Sequence, residues 1–113
     1  MFQEGPTLLI GDLNSNTKWD YKLRPGQNHT GLVTLLSSLK LSSAYHTFHQ
    51  EEHGAEIHPT FFLRKNPAKP YHIDDCFIPE GWIGQLSSVA LGSNEDWKTH
   101  SDHRPLIVDI AGV

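Results

Sequence analysis

The sequence predicts an α+β domain built from short strands and one prominent helix. Two observations predict it. Apolar runs of strand length, each bounded by turn residues, recur from Thr7–Ile10 to Leu106–Ile110. Between them, Leu32, Leu35, Leu36 and Leu39 fall at i, i+3, i+4 and i+7, the spacing of one apolar helix stripe. The 113 residues suit a single small domain with one core.

The stretch Leu8-Leu9-Ile10-Gly11-Asp12-Leu13-Asn14-Ser15-Asn16 starts apolar and ends polar. It reads as a buried strand over Thr7–Ile10. Side chains two apart on a strand share a face, so Asp12 and Asn14 can point to one spot. A carboxylate and a carboxamide there suit a metal, a water or a phosphate. A strand ending in ordinary turn residues accounts for the same letters.

Asn14 to Thr30 is a polar connection with a turn signal at Pro25-Gly26. Its Trp19 and Tyr21 cover the core edge or stack on a substrate. Its Lys18, Lys22 and Arg24 face solvent or phosphate. Thr30 to Leu41 is the helix, with Thr30 as N-cap. Ser43 to Phe48 reads as a short strand offering Ala44, Tyr45 and Phe48 to the core. His49 to His58 is polar and reads as a mobile loop. His46, His49, His53 and His58 match no standard zinc framework, and no cysteine pair accompanies them.

Pro59 to Leu63 is a strand, Arg64 to Pro70 a basic turn, and Tyr71 to Ile78 another strand. Asp74 and Asp75 are adjacent in that strand, and an unpaired buried carboxylate is costly. Alternation puts Asp74 on the face of His72 and Asp75 on the other. One acid is therefore expected at a site and the other at an edge or in solvent. Gly84 to Gly92 holds a further strand. Ser93 to His100 is a polar loop anchored by Trp97. Ser101-Asp102-His103-Arg104-Pro105 leads into the last strand, Leu106–Ile110. A carboxylate can hold an imidazole in one tautomer. Sequence neighbours rarely face each other on a strand, so the partner of His103 is expected from elsewhere.

Composition narrows the function classes. The formal net charge of −4 supplies no global basic field for nucleic acid or an anionic membrane. Cys76 is the only cysteine, so no internal disulfide forms, and a reducing, cytoplasmic location fits. No apolar run is long enough to span a bilayer. The first residues show no basic region followed by an apolar stretch, as a signal peptide would.

Three polar clusters lie at strand ends: Gly11-Asp12-Leu13-Asn14, His72-Ile73-Asp74 with Phe77, and Ser101-Asp102-His103 followed by Pro105. With His58-Pro59-Thr60-Phe61, their order resembles the endonuclease/exonuclease/phosphatase family, which includes DNase I-like and exonuclease III-like enzymes. The resemblance runs from about Pro6 to Ile110. It implies a four-layered αββα sandwich and metal-dependent hydrolysis of a phosphate ester, with nucleic acid among the substrates that fit, and with Mg2+ or Mn2+. On that resemblance Asp12 orients or deprotonates the attacking water, and Asn14 hydrogen-bonds the scissile phosphate or that water. His103 stabilises developing charge, Asp74 holds the His103 ring, and Asp102 lies by the metal or its water.

Two departures stand out. Asp75 occupies a position where relatives often carry an aromatic residue. The family's early metal-binding half, with its Glu ligand, has no counterpart before Gly11, where Glu4 is the sole acid. The chain is thus expected to be the C-terminal portion of such a domain, weakly active alone, and prone to self-associate or to need its missing half. A non-catalytic binding or assembly module with the same fold, and a zinc module built on the histidine-rich loop, are the competing readings.

Overall fold

The computed structural model of the chain describes residues 6–24 and 26–112. Glu4 and the Pro25 half of the expected Pro25-Gly26 turn lie outside the described residues. In chain order the elements are β1 (Leu9–Asp12), a 3-10 turn (Thr17–Lys22), α1 (His29–Ser38), β2 (Leu41–Ser43), α2 (Ala44–His49) and β3 (Phe61–Phe62). A second 3-10 turn (Leu63–Lys65), β4 (Pro70–Tyr71), β5 (Asp74–Pro79) and a third 3-10 turn (Glu80–Gln85) follow. The described chain closes with β6 (Leu86–Leu91), α3 (Asn94–Trp97) and β7 (Leu106–Ile110). The described residues form a mixed α/β fold with three small sheets.

β5 is the central strand. Its Cys76-Phe77-Ile78 run is buried throughout, as a strand covered on both faces requires. β1 and β2 flank it antiparallel, in the order β1-β5-β2. Alternation sends Cys76 and Ile78 to one side and Phe77 to the other. Cys76 and Ile78 pack with Ala44 and Tyr45 of α2 and Val89 of β6, sealed by residues such as Trp82, Leu106 and Val108. Phe77 packs with Leu36 of α1 and Leu41 of β2, beside Leu13, Leu32 and Val33. β6 pairs with β7 and β3 with β4, both antiparallel.

Several elements differ from the sequence expectation. The first strand runs Leu9–Asp12 and is exposed, with Ile10 at 65%. It stands at the edge of its sheet, paired there with β5 alone. The helix starts one residue earlier than Thr30, because Asn28 is the cap and its side-chain oxygen accepts from the Gly31 N–H at 2.9 Å. The Thr30 hydroxyl instead donates to Asp20. Of the leucine stripe, Leu36 is buried while Leu35 is 56% exposed.

Ser43 to Phe48 is not a strand. The strand is Leu41–Ser43, and Ser43 then caps α2 by accepting from the His46 N–H. Ala44, Tyr45 and Phe48 stand at i, i+1 and i+4, a spacing that suits a helix face as well as a strand. The expected Tyr71–Ile78 strand is interrupted at His72-Ile73, giving β4 and β5, and the expected Pro59–Leu63 strand shrinks to β3. The Ser93–His100 loop contains the short α3. The last strand has the expected bounds.

Replacing the cap residue gives a direct test of how α1 is held. Asn28→Ala should cost about 1 kcal/mol of unfolding free energy, read from a denaturant melt. Thr30→Ala should cost less, since Thr30 is not the cap.

Candidate functional site

The register of β1 on β5 sets Asp12 directly across from Asp74. Directly opposed residues project to the same face, so two carboxylates meet there. β1 ends at Asp12. Asn14 takes a left-handed conformation, φ +50, and its N–H donates to Asp12 Oδ1 at 2.7 Å. This is the self-capping turn that Asp and Asn favour, and it pins the Asp12 carboxylate.

His103 arrives from the other end of the chain. Its own N–H donates to Ser101 Oγ at 3.0 Å. Arg104, buried, donates from Nη1 to the Ser101 and His103 carbonyls, each at 2.9 Å, and its guanidinium lies 4.7 Å over the Phe62 ring. The turn is also stitched to the β3 region: Phe62 N–H donates to the Asp102 carbonyl at 2.8 Å, and Arg104 N–H to the Thr60 carbonyl at 2.7 Å. The result places His103 Nδ1 at 2.8 Å from Asp74 Oδ2, with Nε2 at 3.8 Å from Asp12 Oδ2. A carboxylate only accepts, so Nδ1 carries a proton and Nε2 is the atom turned toward Asp12.

Thr60 couples the two sides of this site. Its fully buried hydroxyl accepts from the Ile73 N–H at 3.0 Å and the Asp74 N–H at 3.1 Å, while its carbonyl takes the Arg104 N–H. One residue thus spaces the Asp74 strand from the His103 turn. The site opens into a cleft of about 500 Å³ whose lining includes Ile10, Asp12, Asp74, Trp97 and His103.

Asp12, Asp74 and His103 offer ligand atoms within 4.8 Å of one another, close enough to hold a divalent ion. Asn14 is exposed one turn beyond the strand, so the strand alternation that would align its side chain with Asp12 has already ended. Asp102 is half-buried beside His103 and is not in that group of ligand atoms. The sequence reading did not single out Thr60 or Arg104 for a role. Each was visible as a polar residue beside an apolar strand, yet its function depends on pairings between distant segments.

A second polar cluster lies on the other side of β5. One of the two adjacent acids was expected at an edge or in solvent, but Asp75 is buried: its side chain is 1% exposed and lies 3.2 Å from His72 Nε2. The chain breaks its strand at His72-Ile73, so simple alternation through Asp74 fails there. The His49–His58 segment, expected as a mobile loop, is tied inward. His46 Nε2 donates to Glu56 Oε2 at 2.6 Å, and Asn16 donates to Glu56 and to the His72 carbonyl. Burial alone would raise the Glu56 carboxyl, but hydrogen bonds from His46, the Gly54 N–H and Asn16 outweigh it and hold it at about 2. Burial, with the neighbouring His46 and His29, holds His53 down to about 4. Burial would lower His72 as well, but its bonds to Asp75 and the His58 carbonyl raise it.

Comparison with protein-family models, with curated proteins and with solved structures gives no match for the chain. The chemistry therefore rests on the geometry alone. Among the described residues, clusters of His, Asp and Glu stand close enough to coordinate a divalent ion, and no helix is long and apolar enough to cross a membrane.

Thr60→Val keeps the shape and deletes the hydroxyl acceptor. Two buried N–H groups then lose their partner, which should cost roughly 2 kcal/mol or more in a denaturant melt. The downfield proton of His103 Nδ1–H should broaden or vanish in the NMR spectrum as Asp74 shifts.

Proposed function

We propose that this chain carries the phosphate-handling site of a metal-dependent phosphoesterase, with a phosphodiester as substrate and a fold of the αββα kind found in the endonuclease/exonuclease/phosphatase family. The observation that carries the reading is the Asp12–Asp74–His103 constellation at the mouth of an open cleft. The order of its residues along the chain is the order that resembles that family.

The donor set fits a hard divalent cation. Two partly exposed carboxylates suit Mg2+ or Mn2+, which keep several waters and accept few protein ligands, and the His103 imidazole beside them is left to act as a hydrogen-bond donor. Asp12 and Asp74 are the oxygen donors of that set, and Asp102 is near enough in sequence to hold a water of the same shell. When bound, such an ion supplies positive charge at the phosphoryl oxygens.

The remaining work falls to the side chains. Asp74 holds the His103 ring by Nδ1 and leaves Nε2 directed into the cleft. A protonated Nε2 donates to a phosphoryl oxygen and stabilises the charge that grows in the transition state. Asp12, fixed by the Asn14 N–H, orients a water and takes its proton. Asn14 offers a carboxamide to the phosphate from the exposed turn. A nucleic acid is one phosphodiester that fits, although the net charge of −4 gives little nonspecific attraction to it.

A second reading has its own observation. Leu8, Leu9 and Ile10 are exposed along the edge strand β1. Such an edge suits β-pairing with another chain, and on this reading the fold serves as a binding or assembly module.

Hydrolysis of bis-p-nitrophenyl phosphate and plasmid DNA separates the two. Slow turnover is expected in Mg2+ or Mn2+, none in EDTA, and a loss of about 10²- to 10⁴-fold in His103→Ala. Turnover that survives His103→Ala, or no metal-dependent turnover in the unsubstituted chain, would contradict the phosphoesterase reading.

A further inference from the structure

The buried cluster behind β5 is unlike an ordinary hydrogen-bonded core. Asp75 is an ionisable group with a 1% exposed side chain, and its Oδ2 has no hydrogen-bond partner among the described residues. Its Oδ1 lies 3.2 Å from His72 Nε2 and 3.8 Å from His46 Nδ1. An unpartnered buried carboxylate oxygen is costly and needs a compensating charge.

Both imidazoles are held from behind. His72 Nδ1 donates to the His58 carbonyl at 2.8 Å, which leaves Nε2 facing Asp75. His46 Nε2 donates to Glu56 at 2.6 Å, which leaves Nδ1 facing inward, where it meets the Ser43 hydroxyl at 2.6 Å. Metal-bound histidines show this arrangement: one ring nitrogen on the metal, the other donating to a carboxylate or a main-chain carbonyl. The two rings stand 70° apart, so their in-plane lone pairs are not stacked side by side.

We propose that His46, His72 and Asp75 form a second metal site, selective for a borderline transition ion such as Zn2+ and separate from the Asp12–Asp74–His103 cleft. Two imidazoles and one carboxylate are the ligand chemistry of zinc rather than magnesium. The ion replaces the Ser43 proton on His46 Nδ1, and Asp75 Oδ2 or a water completes its shell. A solvent cleft of about 500 Å³, lined by Ser43, His46 and His53 among others, gives it an entry path.

The alternative sets are poorer. His46 and His53 stack at 3.6 Å with only 16° between planes, so their lone pairs run parallel. In the His49, Glu51, His58 group, His49 is committed to the Val89 carbonyl and Glu51 to Tyr45 and the Ile57 N–H. The proposed ion would staple α2 to the central strand, with Glu56 and the 50–58 segment as its outer support.

Metal-stripped chain titrated with Co2+ and Zn2+ tests this. The visible bands of four-coordinate Co2+ are expected to saturate at one equivalent per chain in the Asp12→Asn, His103→Ala double variant, bleached by Zn2+ and not by Mg2+. Zinc should raise the melting midpoint by several degrees. The site should survive the Asp12→Asn, His103→Ala double variant, weaken about tenfold in Glu56→Gln, and disappear in His72→Gln and Asp75→Asn. If Asp75→Asn fails to fold by circular dichroism, the imidazole nitrogen resonances of the unsubstituted chain decide. Zinc shifting His46 Nδ1 and His72 Nε2 supports the site. Zinc leaving both unmoved, no stoichiometric Co2+ band, or binding that is lost in the double variant would overturn it, and the three residues would then be a hydrogen-bonded group only.

Discussion

Two carboxylates placed directly across an antiparallel pair repel each other, and the register of β1 on β5 imposes that arrangement on Asp12 and Asp74. The strands cannot slip to relieve it. Just past β1 the Leu13 N–H donates to the Ile73 carbonyl at 2.9 Å, and the Leu13 side chain packs beside Phe77. The ladder and that anchor thus hold a locally unfavourable pair of charges at the strand end. His103 lies against both acids, and the space beside them is an open cleft. Local cost held in place by surrounding packing is the pattern expected where a structure keeps groups ready for a ligand.

The other half of the arrangement is backbone wiring. Thr60, fully buried, accepts two N–H groups from the Ile73–Asp74 side and takes the Arg104 N–H on its carbonyl. Arg104 in turn closes the Ser101–His103 turn through two carbonyls. Three segments far apart in sequence are therefore set to hydrogen-bond accuracy by Thr60 and Arg104, neither of which belongs to the Asp12–Asp74–His103 group of ligand atoms. β5 serves both polar clusters at once: Asp74 faces the open cleft and Asp75 the buried histidines, on adjacent residues of one strand.

Much of this was legible in the sequence, for physical reasons that can be named. Leu106–Ile110 is an apolar, β-branched-rich run punctuated by Pro105 and by Gly112, so its bounds are local information. The α1 stripe was readable because four leucines keep helical period, although only Leu36 became fully buried. α2 was misread because Ala44, Tyr45 and Phe48 fit either period over six residues, and Ser43 as a cap decides the matter. The edge position of β1 depends on sheet order, which no single segment encodes. His72 was placed on the face of Asp74 because alternation was carried across a break at His72-Ile73; it meets Asp75 instead. Asp12, Asp74 and His103 stood out as polar residues at strand ends, whereas Thr60 and Arg104 act through pairings that appear only once the chain is folded.

If the opposed carboxylates of Asp12 and Asp74 form a cation site as proposed, the isosteric Asp12→Asn variant shows it most directly. The amide oxygen can still accept from the Asn14 N–H, so only the charge is removed. Thermal melts of both chains at pH 8, in EDTA and in Mg2+, give the answer. In EDTA the variant should melt at or above the unsubstituted chain, because the repulsion is gone, and Mg2+ should raise the melting midpoint of the unsubstituted chain alone. A variant clearly less stable in EDTA, with both chains responding equally to Mg2+, would contradict it.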